Sequence, residues 1–251
     1  ADLGISWTEM SRGDLIDSDP HISERYQFGV AYHHHGWITN PSGYVAAMAA
    51  HFQQNGGKIH AGDVTKIGNG SLTLKDGKTM TAKTIVLATG AWSKDLASAL
   101  GHRIPLQAER GYHLSLTNAS HMPPNTYLIT DKRFCVTPMD GFLRVAGQSE
   151  YAPLNMPPNP KAIDNLRRFL YRLYPNLEHG GETTWQGTRP TLPDSLPMIG
   201  RSPNDPSVVF AFGGQHLGLT MGPKLGQMVR DVVLDRASNI AMDAYAPTRF
   251  D

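Results

Sequence analysis

Cysteine is nearly missing from this chain: Cys135 is the only one in 251 residues. One cysteine excludes an internal disulfide and any zinc site built on thiolates, and it suits a reducing compartment. Within Phe134-Cys135-Val136 it reads as packing. A dominant charge is missing too. With 23 Lys+Arg against 22 Asp+Glu, scattered along the chain, there is no basic face for nucleic acid and no polybasic run for a membrane surface. No apolar run approaches the roughly 20 residues that span a bilayer, and the first residues lack the basic-then-apolar pattern of a secretory signal. Small, mostly uncharged ligands fit this balance best.

What is present is a composition for packing. Hydrophobic residues make up 40% and charged residues 18%, enough for a sizeable core in one large domain or two small ones. Ala1 to Arg25 mixes polar residues with Leu15, Ile16 and Pro20, has no initiator methionine, and reads as a cut surface. Tyr26 to His35 has strand composition. Asn40-Pro41 then supplies a cap and a first helical residue, and Tyr44, Val45, Met48, Ala49 and Phe52 recur at helical spacing until Gly56-Gly57. His33, His34 and His35 suggest a metal, but alternation on a strand aligns only His33 with His35, and no nearby acid completes a ligand set, so no metal site is expected. A strand end near a ligand pocket is the alternative.

Short strands are expected at Lys58 to His60, Asp63 to Ile67 and Leu72 to Leu74, the last two joined by a turn at Gly68-Asn69-Gly70. Thr84 to Leu87, running into Ala88-Thr89-Gly90, reads as a central parallel strand whose exit approaches a ligand, or as an ordinary core strand with a tight turn. A short helix over Asp95 to Leu100 follows. Along the run to Leu116, Tyr112, Leu114 and Leu116 share one face while His113 and Ser115 take the other. Tyr127 to Thr130, Arg133 to Pro138 and Phe142 to Ala146 form an antiparallel block. Ala162 to Tyr174 is a helix with Ile163, Leu166, Phe169, Leu170 and Leu173 on one stripe. Glu182 to Gly187 returns as a strand, carrying Trp185 towards Arg189.

From Gly187 to Pro223 the order is an Arg189-Pro190 turn, a loop Pro193-Asp194 to Pro197-Met198-Ile199-Gly200, an apolar strand Val208 to Phe212, and Gly213-Gly214-Gln215-His216-Leu217-Gly218-Leu219-Thr220. A buried strand entering a glycine-dense turn and then a helix presents backbone N–H groups to an electron-rich ligand edge. This order resembles the C-terminal part of the FAD-dependent D-amino-acid oxidase and glycine oxidase family, and is closest to its bacterial D-amino-acid and amine dehydrogenase branch. Arg110-Gly111-Tyr112-His113, Thr137 to Gly141, Leu143-Arg144-Val145-Ala146-Gly147 and Glu150 match that branch as well.

The resemblance implies a mixed α/β and α+β fold: a partial, Rossmann-like FAD-binding domain (residues 39–98 and 195–251) interleaved with a largely antiparallel substrate domain (1–38 and 99–194). It implies an FAD-dependent enzyme that oxidises the Cα–N bond of a D-amino acid or related small amine by hydride transfer to flavin, leaving the electron acceptor open. Arg189 would clamp the substrate carboxylate, because its planar fork donates two parallel hydrogen bonds; the alternative is a surface ion pair with Asp194. Tyr112, His113 and His216 would line the pocket. Val64, Thr89, Gly90, Trp92, Gly214, Gln215, Gly218, Leu219 and Thr220 would meet the cofactor. Gly214 stands where many relatives carry histidine. The protein is expected in the cytoplasm, with peripheral attachment at the inner face of a bacterial membrane as the alternative.

A dinucleotide fold needs a Gly-x-Gly-x-x-Gly turn between strand and helix, and no stretch here qualifies. The expectation is a fragment whose pyrophosphate-binding unit lies in a missing N-terminal segment or a second subunit, so that this chain alone binds FAD poorly and is inactive. A non-catalytic binding module on a decayed scaffold, and a dehydrogenase of sarcosine, proline or a similar secondary amine, are the other readings.

Overall fold

The structure, a computed structural model, describes residues 4–250, so the ends of the outermost expected segments, at Ala1 and Asp251, lie outside the described residues. In chain order the elements are β1 (Trp7–Met10), α1 (Arg12–Ser18), β2 (Gly29–Tyr32), α2 (Pro41–Gln54), β3 (Val64–Gly68), β4 (Ser71–Leu74), β5 (Thr79–Thr81) and β6 (Ile85–Leu87). Then come α3 (Ser93–Ala99), β7 (Gln107–Thr117), β8 (Tyr127–Ile129), β9 (Phe134–Met139), β10 (Phe142–Tyr151) and α4 (Pro160–Leu173). The last are β11 (Gly181–Thr191), β12 (Met198–Arg201), β13 (Val208–Phe212) and α5 (Gly218–Val233).

The chain divides into two compact units, residues 1–58, 111–149 and 157–187 in the first and 59–110, 150–156 and 188–251 in the second. Interleaving was expected; the boundaries differ. Residues 39–58, including α2, fall in the first unit, while 99–110, 150–156 and 188–194 fall in the second. The physical reason lies in the long strands: β7, β10 and β11 each change unit partway along, so a border placed between elements cannot follow them.

In the first unit, the sheet runs in the order β11-β7-β10-β9-β8. Alternation decides what each face does. Tyr112, Leu114 and Leu116 of β7, Phe134 and Val136 of β9, and Leu143 and Val145 of β10 form one core with Leu166, Phe169, Leu170 and Leu173 of α4. The apolar stripe on α4 therefore closes one face of the sheet, and His113, Ser115, Cys135, Thr137 and Arg144 occupy the other. Asn40 caps α2, accepting from the Gly43 N–H at 2.8 Å, and Gly56 ends it at φ +87°. Its stripe is nevertheless exposed, with Val45, Met48 and Phe52 each more than half accessible.

In the second unit β12 and β13 are antiparallel and β13 and β6 parallel, in the order β12-β13-β6. Among the described residues β6 is thus an edge strand, not a central one, and Val86 is 41% exposed. β3, β4 and β5 form an antiparallel sheet whose first turn is Asn69 (φ +51°) and Gly70 (φ +66°), the left-handed pair that a two-residue hairpin turn requires. Ile67, Leu87, Leu96, Leu106, Leu192, Met198 and Phe210 share its core. Three local expectations fail. Lys58 to His60 is not a strand, β5 was not foreseen, and Met198 to Gly200 is strand where loop was read.

Candidate functional site

In the second unit β13 stops at Phe212, and Gly213 (φ +88°) and Gln215 (φ +49°) reverse the chain. The Gln215 N–H donates to the Pro190 carbonyl at 3.2 Å, and its Nε2 donates to the Leu192 carbonyl at 3.2 Å, which fastens the turn to the end of β11. α5 then begins at Gly218, and its N-cap, Leu217, offers no side-chain acceptor. The amides of the first turn, at Gly218, Leu219 and Thr220, therefore face no capping side chain, and the positive end of the helix dipole is open to a ligand.

A cavity of about 250 Å³ opens there, lined by Ala88, Gly90, Pro190, Gly214, Gln215 and Gly218 among others. A methyl group added at Gly218 would touch nothing within 4 Å, and one at Gly214 would meet only the Gly218 Cα and the Leu225 side chain. Bare backbone around an open cavity at a helix N-terminus suits the edge of a flat, electron-rich ring. A cavity of this size takes part of a large cofactor rather than all of it, since whole-ligand pockets run from about 300 Å³ upwards.

Four of the expected cofactor residues, Gly90, Gly214, Gln215 and Gly218, come together in that lining. Leu219 and Thr220 follow on the same helical turn, exposed. Val64 packs half-buried against the core of the unit. Thr89 is exposed, its Oγ1 3.0 Å from the Ser93 Oγ. Trp92, 58% exposed, and His216, also exposed, are not among the lining residues.

Arg189 sits inside β11 rather than in a turn. Pro190 is tolerated there because β11 is an edge strand. The Arg189 Nη1 donates to the buried Glu109 Oε1 at 3.2 Å, and the Thr191 hydroxyl donates to Glu109 Oε2 at 2.7 Å. The surface pair with Asp194 does not form. Asp194 is held instead by Arg249, whose Nε lies 2.6 Å away. Glu109 was not foreseen as Arg189's partner, since 80 residues separate the two in sequence. Its signal was a carboxylate in an otherwise buried strand, which requires a cation close by.

Tyr112 takes the core face of β7. It is 2% exposed on the α4 side of the sheet, and its hydroxyl accepts from the Asn159 N–H at 3.1 Å, at the N-cap of α4. Its neighbour His113 takes the opposite face and stacks on Trp185, with ring centroids 5.0 Å apart and planes 20° apart. Burial, and then the Arg144 guanidinium, bring the His113 pKa down from 6.5 to about 4. The ring is neutral near pH 7. Between those two values the unfolded chain holds a proton that the folded chain rejects, so stability is complete above about pH 6.5 and declines as pH falls towards 4. The ring is partly exposed, which limits the loss to about 1–2 kcal/mol. Urea unfolding at about pH 7 and about pH 4.5 should show His113→Gln losing less stability over that interval than the wild type. An equal loss would remove His113 as its source.

His33 Nε2 lies 2.7 Å from the Thr8 Oγ1, and His34 has φ +61° in a turn beyond β2. No cluster of three or more metal-ligating side chains occurs among the described residues.

A family model described as FAD dependent oxidoreductase matches residues 1–232. The D-amino-acid oxidase of Bradyrhizobium diazoefficiens is 32% identical over 256 residues, covering 99% of this chain and 61% of the relative. The chain thus spans about three-fifths of that relative's length. Among solved structures, glycine oxidase from Geobacillus kaustophilus superposes with a TM-score of 0.82 at 19% identity, covering 99% of this chain and 68% of the other. L-proline dehydrogenase from P. horikoshii gives 0.80 at 18%, covering 98% and 69%. At these identities the superpositions establish the fold.

Proposed function

The chain belongs to the FAD dependent oxidoreductase family, and on that premise we propose that it forms the flavin-edge and substrate-facing parts of an enzyme oxidising the Cα–N bond of a D-amino acid or related small amine. FAD, when bound, supplies the hydride acceptor. One observation carries this reading: the uncapped first turn of α5 opens on a cavity lined by the bare backbone of Gly90, Gly214 and Gly218. There Gly218, Leu219 and Thr220 would donate N–H hydrogen bonds to the ring edge, where preorganised dipoles favour developing negative charge. Arg189, oriented by Glu109 and Thr191, would receive the substrate carboxylate. The residues fit the cofactor's ring edge, and its remaining parts lie outside what this cavity holds.

The 32% identity to a D-amino-acid oxidase over nearly the whole chain supports the substrate class. The complete gene product, purified with added FAD, should be yellow, and its visible absorbance should bleach when a D-amino acid is added without oxygen. A product that stays colourless, or a flavin that no amino acid or small amine reduces, would overturn the reading.

A further inference from the structure

The chain carries asparagine directly before glycine twice, at Asn55-Gly56 and Asn69-Gly70. Such a pair is chemically labile, because glycine has no side chain to keep its backbone nitrogen away from the asparagine amide. Whether the nitrogen arrives depends on the fold. Asn55 ends α2, where the Gly56 N–H donates to the Gln53 carbonyl at 3.0 Å and the Asn55 Nδ2 to the His51 carbonyl at 2.8 Å. Both bonds lie within one helix end, and helix ends fray.

Asn69 and Gly70 are held differently. The Gly70 N–H donates to the Ser207 Oγ at 2.9 Å and the Gly70 carbonyl accepts from the Ala82 N–H at 2.9 Å, so the glycine is fixed on both sides. The Asn69 N–H donates to the Asp205 Oδ2 at 2.5 Å. The Ser207 hydroxyl in turn donates to the Asp205 Oδ1 at 2.6 Å, which leaves its oxygen free to accept from Gly70. These hydrogen bonds, from Ser207 first and then from Asn69, hold the Asp205 carboxyl below its usual range. Asn69 is itself exposed to water. The restraint therefore falls on the attacking nitrogen, and it comes from a residue 137 positions away.

We propose that Asn69 is a deamidation site kept shut by Ser207, so that the modification takes place only when the turn parts from residues 205–207. In that step the Gly70 nitrogen bonds to the Asn69 Cγ while the Cγ–Nδ2 bond breaks, and ammonia leaves carrying the Gly70 proton. Water then opens the resulting succinimide at either carbonyl, giving aspartate or isoaspartate with no oxidant or reductant involved. Both products oppose closure. Isoaspartate adds a methylene to the backbone of a two-residue turn, whose left-handed angles at both positions match the twist of the strands. Aspartate places a second carboxylate beside the ionised Asp205, and like charges at such range repel. A single opening thus becomes permanent, and the β3–β4 hairpin records it.

The complete gene product is kept for days at mildly alkaline pH, with and without urea, then digested, and its peptides are resolved into asparagine, aspartate and isoaspartate forms. Conversion at Asn69 should be about tenfold or more slower in the folded protein than in urea. Ser207→Ala should speed Asn69 by about threefold or more and leave Asn55 unchanged, while Ser207→Thr, which keeps the hydroxyl, should stay closer to the wild type. Asn55 in the same digest reports any general loosening of the fold. The idea is lost if Asn69 fails to convert in urea or converts as fast in the folded protein. It is lost equally if Ser207→Ala leaves the Asn69 rate unaltered or speeds Asn55 by the same factor, or if the threonine variant is as fast as the alanine one. No flavin or substrate takes part, so these results are independent of the reaction proposed above.

Discussion

Replacing Asp19 with alanine should remove about 3–5 kcal/mol of stability, a large share of the roughly 5–15 kcal/mol that holds a typical domain together. Asp19 is the C-cap of α1 and is fully inaccessible. Its Oδ2 accepts from the Tyr174 hydroxyl at 2.6 Å, while Oδ1 accepts from the His21 N–H at 3.1 Å and lies 2.9 Å from the His121 Nε2. Tyr174 is in turn the C-cap of α4, so one carboxylate joins the ends of two helices 155 residues apart in sequence. Burial and the Asp19 hydrogen bond push the Tyr174 phenol well above its ordinary range, which keeps it a donor at any working pH. Alanine would leave the phenol and the amide without their acceptor, each such loss costing about 1–3 kcal/mol, and would take the carboxylate away from the His121 imidazole beside it. Tyr174→Phe removes only one donor and should cost about 1 kcal/mol. Guanidinium unfolding of the two variants measures both values. If Asp19→Ala stays within about 1 kcal/mol of the wild type, the carboxylate is not what couples the helices.

Gly213→Ala should cost about 2–4 kcal/mol from two separate sources. The residue has φ +88°, a backbone conformation in which a β-carbon is strained. That carbon would also fall 2.5 Å from the Leu192 Cδ1, and Leu192, at 1% exposure, has no room to move aside. Gly214 and Gly218, one and five residues on, lack such overlap. A double-mutant cycle separates the sources. In a Leu192→Ala background the overlap disappears while the dihedral strain remains, so the added cost of Gly213→Ala should fall by about 1 kcal/mol or more. Strict additivity would show that Leu192 does not press on the turn.

Features legible in the sequence were those set by neighbours along the chain. Asn40-Pro41 announced α2, Gly68-Asn69-Gly70 announced the β3–β4 hairpin, and the alternation at Tyr112, Leu114 and Leu116 gave the sides of β7 correctly. What escaped depended on distant partners. Tyr112 read as a pocket residue because nothing nearby reveals that Asn159 needs its hydroxyl. The alternative weighed for Arg189, an ion pair with Asp194 five residues away, missed Glu109, placed beside it by the pairing of long strands. Ile85-Val86-Leu87 looked central because a continuous apolar run implies burial on both faces, yet Val86 is 41% exposed. A strand of four residues, set between Pro197 and Pro203, is too short for any period to appear, and so β12 was read as loop.

The glycine turn was legible for a different reason. Its sequence specifies dihedrals that only glycine and a few polar residues adopt, and the structure has them at Gly213 and Gln215.

The hairpin turn of β3 and β4 is also a clasp. The Asn69 N–H donates to the Asp205 Oδ2 at 2.5 Å and the Gly70 N–H to the Ser207 Oγ at 2.9 Å, while β6 takes Val208 to Phe210 of β13 as its parallel partner. These contacts join segments more than 120 residues apart, which places the second unit among slow-folding topologies. During synthesis the early half of that unit has to wait, its apolar side uncovered, until the ribosome has released Phe212. The segments of the first unit are all made by Gly187, so they leave the ribosome before those of the second are complete.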